Sequence, residues 1–227
     1  MMPPDSPESD HASTRPVGAF YLPVTIETER LVLHPLTSPD ASAMLDAVES
    51  SRLELERWMR WPTRARDLEE VEHMVDESDP LAASVAHERG IFRRDDGRLV
   101  GGIDMRVLRP DVPSFALAYW LRTADTGRGY AREAVASLTG VALYHPGARR
   151  VVNACDPENV RSARVATACG YMSEARLRNE VVSPSGEVRD LLVHSLADTD
   201  EAMQRLPRPA GSIGEVPGDD MIQNRTN

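Results

Sequence analysis

No lysine occurs anywhere in the 227 residues; all 26 basic side chains are arginine. That absence removes the Schiff-base lysine of pyridoxal chemistry, the lysine of nucleotide phosphate loops and the phosphate-pairing lysine of protein kinases. Cysteine is scarce as well. Cys155 and Cys169 make neither a disulfide framework nor a C-x-x-C ligand spacing, so they read as small buried hydrophobes in a reducing compartment. The six histidines stand singly, which argues against zinc, and no metal ligands are assigned. No apolar run is long enough to cross a bilayer, and Asp5, Glu8 and Asp10 stand where a signal peptide carries cations. A net charge of -10 also argues against nucleic acid as a partner. The expectation is a cytoplasmic protein without a membrane segment.

What is present has the composition of an ordinary globular chain, 41% hydrophobic and 27% charged. Proline, serine and acid dominate the beginning, and proline and glycine the end, which predicts disordered tails over residues 1–24 and 207–227. Between them, residues 25–206 have the size of one domain. A strand is expected over residues 28–33, and a helix opens at Ser38-Pro39-Asp40 with Met44, Leu45, Val48 and Leu55 at helical spacing. A second helix starts at Asp67, with Glu70 as capping partner and an acidic outer face running to Asp79. That face reads as a solvated helix surface that attracts a cationic acceptor. A hairpin turns at Asp95-Asp96-Gly97, and a further strand covers residues 114–121. Beyond it, helices ending near residues 145–147 and at Gly170 alternate with strands over 150–154, 171–182 and 188–196. This pattern predicts an α/β (α+β) fold, a mixed central β-sheet with helices on both faces.

The chemically informative stretch runs from Tyr119 to Ala134. A strand enters a loop of small residues, Thr126-Gly127-Arg128-Gly129, which runs directly into a helix at Tyr130-Ala131-Arg132. Glycines let a ligand approach the backbone, and the first helical amides carry partial positive charge, so the turn can cradle a pyrophosphate. Arg128 and Arg132 add guanidinium groups suited to phosphate oxygens. A plain tight turn at Gly127 and Gly129 is the competing reading, and a dinucleotide fingerprint, which would need glycine where Arg132 stands, is weaker still.

The segment resembles the acyl-CoA pyrophosphate loop of the GCN5-related N-acetyltransferases (GNAT), and Tyr119-Trp120-Leu121 with Tyr130-Ala131-Arg132-Glu133-Ala134 is similar to their RimJ/RimL branch. Two further stretches share the resemblance: Asn159-Val160-Arg161-Ser162 with Gly170-Tyr171, and Trp58-Met59-Arg60-Trp61-Pro62. It implies the GNAT fold and transfer of an acetyl group from acetyl-CoA to a primary amine, most naturally a protein N-terminus. A small-molecule acceptor or a noncatalytic acyl-CoA-binding role are the alternatives, and a homodimer is compatible with it. By the same resemblance, Trp120, Leu121 and Arg122 align pantetheine, and Gly127, Arg128, Gly129, Tyr130, Ala131 and Arg132 bind the pyrophosphate. Asn159 then holds the pantetheine arm, and Ser162 protonates the departing thiolate. The tyrosine that many relatives use for that step corresponds to Ala166, and a carboxylate common in the branch corresponds to Ala116. The base falls to Glu180, to Asp104 or to a water relay. Tyr119, Trp58 and Trp61 are assigned to the acceptor, with core packing the competing reading for the two tryptophans. Asn159 and Ser162 have a competing reading too, as ordinary helix caps.

Overall fold

The computed structural model describes residues 22–77, 88–109, 112–144 and 148–208. The predicted tails fall almost wholly outside these residues, as do the helix stop at 145–147 and the end of the acidic run. Eight strands form one sheet: β1 (Ile26–Glu27), β2 (Leu31–His34), β3 (Arg89–Arg93), β4 (Leu99–Arg109), β5 (Ser114–Leu121), β6 (Arg150–Cys155), β7 (Met172–Val182) and β8 (Val188–Ala197). Their spatial order is β1-β2-β3-β4-β5-β6-β8-β7. All described neighbours are antiparallel except β5 and β6.

Five α-helices cover both faces: α1 (Ala41–Glu49), α2 (Arg52–Trp58), α3 (Leu68–Glu77), α4 (Tyr130–Tyr144) and α5 (Val160–Ala168). On one face Ala134, Val135, Leu138 and Ala142 of α4 pack on Val100, Ile103, Met105, Phe115 and Leu117, with Ala166 of α5 in the same core. On the other face Met44, Val48, Leu55, Val71 and Val75 close over Phe92, Leu99 and Trp120. The mixed α/β sheet expected from the sequence is the observed fold.

Two local details differ from expectation. The cap of the first helical segment is Thr37 rather than Ser38: Thr37 N donates to Asp40 Oδ2 at 2.9 Å, and a 3₁₀ turn over Ser38–Asp40 precedes α1. The apolar spacing from Met44 to Leu55 belongs to two helices, because the chain breaks at Ser50 and Ser51. The hydroxyl of Ser51 is taken by Thr123 N at 2.9 Å, a partner 72 positions away. At the chain's far end, Leu206 is buried in the α4 core. Gly140 of α4 faces the carbonyl of Pro207, which a Cβ would approach to 2.4 Å.

The β7 edge is tied across β8 to β6. Glu174 of β7 accepts from Arg150 of β6 and, at 2.6 Å, from Ser195 Oγ of β8 between them. The Arg150 guanidinium first, then the Ser195 hydroxyl, hold the Glu174 carboxyl at about 2, against an ordinary value of 4.5. A carboxyl depressed on folding adds stability above its unfolded value and loses it as pH falls towards its folded one. Glu174→Gln therefore lowers the melting temperature at neutral pH. The gap to the wild type narrows as pH falls from 4.5 towards 2, which thermal melts followed by circular dichroism across that range will show.

Candidate active site

The parallel pairing of β5 and β6 lasts only three residues, Ser114, Phe115 and Ala116 against Arg150, Val151 and Val152. Beyond them the strands part, and Asn153 Nδ2 donates across the fork to Leu117 O at 3.0 Å. A cavity of about 790 Å³ opens from the fork, with residues 118–121 of β5 on one bank and Ala154, Cys155 and Asp156 on the other. Residues 118–121 of β5 have their ladder partners on β4. On the side of β6 they face the cavity.

At one end lies the glycine loop. Gly127 and Gly129 have φ of +77° and +83°, left-handed values that side-chain-bearing residues adopt at a cost. The first α4 bond is Glu133 N to Gly129 O at 3.0 Å, so the amides ahead of Glu133 have no acceptor within the helix. The loop is braced from behind. Arg122 N donates to Val100 O at 2.8 Å, Arg122 Nη2 pairs with Asp46 at 3.0 Å, and Thr123 N is held by Ser51. Arg132 and Arg164 line the same cavity as the glycines, and neither guanidinium has an ion-pair partner among the described residues. Fixed amides and unpaired guanidinium groups together make an anion site.

Further in, two hydroxyls meet. Tyr119 Oη donates to Ser162 Oγ at 3.1 Å, and both residues line the cavity. Burial pushes the Tyr119 phenol up to about 12, with the Ser162 hydrogen bond opposing. Asn159 caps α5, its Oδ1 accepting from Ser162 N at 3.1 Å. The capping reading of Asn159 is therefore real, and its amide nitrogen remains available to a ligand.

The assigned residues separate into two groups. Trp58, Tyr119, Trp120, Leu121, Gly127, Gly129, Ala131, Arg132, Asn159 and Ser162 share the cavity wall. Arg122, Arg128, Tyr130, Trp61 and Glu180 do not line it. Trp61 packs on Trp120 with ring centroids 5.3 Å apart, in the core on the α1 face. Tyr130 is buried in the α4 core, and Glu180 is exposed on β7. Asp104 lies opposite Ala118 on β4 and pairs with Arg106 at 2.6 Å.

The sequence did not reveal how the roof is fastened. Glu54 of α2 pairs with Arg161 of α5 at 3.2 Å, and Arg60 donates to Val182 O at 3.1 Å and Ser183 O at 3.3 Å. These contacts join α2 to the opposite bank and add Glu54, Arg57, Arg60, Val181 and Leu191 to the lining. Among the described residues no group of three or more His, Cys, Asp or Glu is placed to hold a metal, and no helix is long and apolar enough to cross a membrane.

Residues 30–172 match the family model described as the acetyltransferase (GNAT) domain. The chain is 24% identical over 157 residues to the ribosomal-protein-serine acetyltransferase of Escherichia coli (strain K12), covering 66% of this chain and 84% of the relative. Its fold is similar to that of RimL, a ribosomal L7/L12 α-N-protein acetyltransferase solved with coenzyme A: TM-score 0.71, 20% identity, 78% of this chain and 99% of that one. It is also similar to MccE, a microcin C7 self-immunity acetyltransferase solved with acetyl-CoA and AMP: TM-score 0.70, 17% identity, 75% and 93%.

Gly129→Val tests the loop. The side chain is strained at this φ, and its Cβ would stand 3.3 Å from Arg30 Nη2. Calorimetric titration is expected to show CoA binding weakened by about tenfold or more, the scale of losing a charge-assisted hydrogen bond.

Proposed function

The chain belongs to the acetyltransferase (GNAT) domain family, and from that premise we propose that it transfers the acetyl group of acetyl-CoA to the α-amine of a protein N-terminus. The observation that carries the reading is the fork between β5 and β6, an open strand edge lying between an anion site and a hydroxyl pair. A donor with a pyrophosphate at one end, amide groups along its arm and a thioester at the other matches that order. The amides from Gly127 to Arg132 hold the pyrophosphate, and the edge at Trp120 and Leu121 takes the amides of the arm, helped by Asn159, while Arg122, its N–H held by Val100 O, braces the loop from behind.

The reaction needs no protein nucleophile. The amine attacks the thioester carbonyl, a tetrahedral oxyanion forms, and the C–S bond breaks to leave amide and thiolate. Holding the two reactants together supplies most of the rate. Because Tyr119 donates its proton to Ser162 Oγ, the serine's own proton can turn from the neighbouring Cys155 thiol to the thiolate. The cavity's own carboxylates, Glu54 and Asp156, are paired with Arg161 and Arg189. The proton lost by the amine therefore passes to water, since Asp104 is likewise paired, with Arg106, and Glu180 stands outside the lining. Trp58 and the roof of α2 form the acceptor side.

The protein acceptor is supported by the ribosomal-protein acetyltransferases among the relatives. A small-molecule acceptor is the second reading, supported by the MccE likeness with its bound AMP. Two free buried cysteines suit a cytoplasmic enzyme. A homodimer belongs to the same proposal.

Thiol release from acetyl-CoA, with peptides bearing free N-termini set against small amines, tests the assignment. Acetylated peptide N-termini identified by mass spectrometry are expected. Turnover with small amines alone would replace the protein acceptor, and CoA bound but never released with any amine would defeat the transferase reading. Ser162→Ala is expected to lower kcat by about a hundredfold while leaving CoA affinity near wild type.

A further inference from the structure

The turn before β2 reaches the glycine loop from outside the cavity wall. Arg30 Nε and Nη2 contact Glu133 Oε2 at 2.7 and 2.6 Å, and Arg30 N donates to Glu133 Oε1 at 2.8 Å. Thr28 Oγ1 donates to the same Oε1 at 2.6 Å. Arg30 Nη1 donates to Arg128 O at 2.9 Å, inside the loop itself. The guanidinium carbon stands 5.0 Å from the Tyr130 ring centroid. One arginine thus touches loop residue 128, residue 130 at the helix start and residue 133 one turn on.

The charge arithmetic gives this contact a function. Glu133 sits in the first turn of α4, where an acid is favoured by the helix dipole. The same acid opposes a second anion at that helix end. Burial alone would raise its proton affinity, but the Thr28 hydroxyl and the Arg30 amide and guanidinium outweigh it and hold the carboxyl below its usual range. Glu133 is therefore ionised, and its negative charge needs cancelling if phosphate is to bind one turn away.

We propose that Arg30 is a positioning residue for the donor: it cancels the Glu133 charge and fixes the Arg128 carbonyl, so that the loop presents a rigid site of net positive potential to the pyrophosphate. Arg30 touches no substrate in this account. The proposal rests on the reading of the loop as the pyrophosphate site. It predicts an effect on donor affinity rather than on chemistry, because the contact lies outside the cavity lining.

The test is calorimetric titration of the full chain with CoA, alongside steady-state kinetics. Arg30→Ala is expected to weaken CoA by about tenfold, the worth of one charge-assisted hydrogen bond, with Arg30→Lys in between. At saturating acetyl-CoA kcat stays within about twofold of wild type, since only ground-state donor binding has changed. Adding Glu133→Gln to Arg30→Ala restores part of the affinity by removing the uncancelled carboxylate, a recovery that mere loss of packing would not give. Arg66→Ala, which deletes an arginine paired with Glu70 on α3, leaves CoA affinity unchanged. Should Arg30→Ala fail to fold, Arg30→Gln keeps a hydrogen-bond donor without the charge and is expected to show the same weakening. Wild-type affinity in the charge-removing Arg30 variants, or a double variant no better than the single one, overturns the proposal. A wild type that does not bind CoA overturns the loop reading as well, and that outcome is visible before any variant is made.

Discussion

Three residues of parallel pairing, and no more, hold β5 to β6. Everything in the cavity follows from where that ladder stops. A buried strand edge is costly because its amides and carbonyls need partners. Here the sheet keeps one open inside the domain, flanked by α4 on one bank and α5 on the other. The fork stays apart because side chains occupy it: Asn153 spans its base, and Tyr119 reaches over to Ser162. A ligand that itself carries amides is the natural completion of such an edge.

The order of the elements was legible because it rests on local chemistry. Small residues between a strand and a helix announce the glycine loop, and the observed φ values at Gly127 and Gly129 give the reason those positions are glycine. Asn159 and Ser162 were legible as a pair, one turn apart on α5. What could not be read depends on partners distant in sequence. Nothing local marks Ser51 as a helix break, since its hydroxyl serves Thr123 in the loop. The roof is similar: Glu54 and Arg161 meet across 107 positions.

Glu180 shows a different limit. A residue on a regular strand alternates faces with its neighbours, and this strand is not regular. In β7 the register shifts between Leu177 and Val181, and Asn179 takes a φ of +55° while its amide is held by Asp190. After that bulge both Val181 and Val182 line the cavity, whereas Glu180 stays exposed. An irregularity fixed by a side chain on the neighbouring strand has no signature in the strand itself.

The Arg60 contact has a kinetic meaning. Its guanidinium grips two carbonyls of the β7–β8 connection, so the end of α2 and the opposite bank meet above the cavity. A ring of this kind admits a long molecule end-on rather than sideways. Its fastening is weak, since a hydrogen bond exchanged with water contributes only about 1 kcal/mol, or up to about 3 with a charged donor. A substitution at residue 60 removes this fastening without touching the glycine loop or the Tyr119–Ser162 pair.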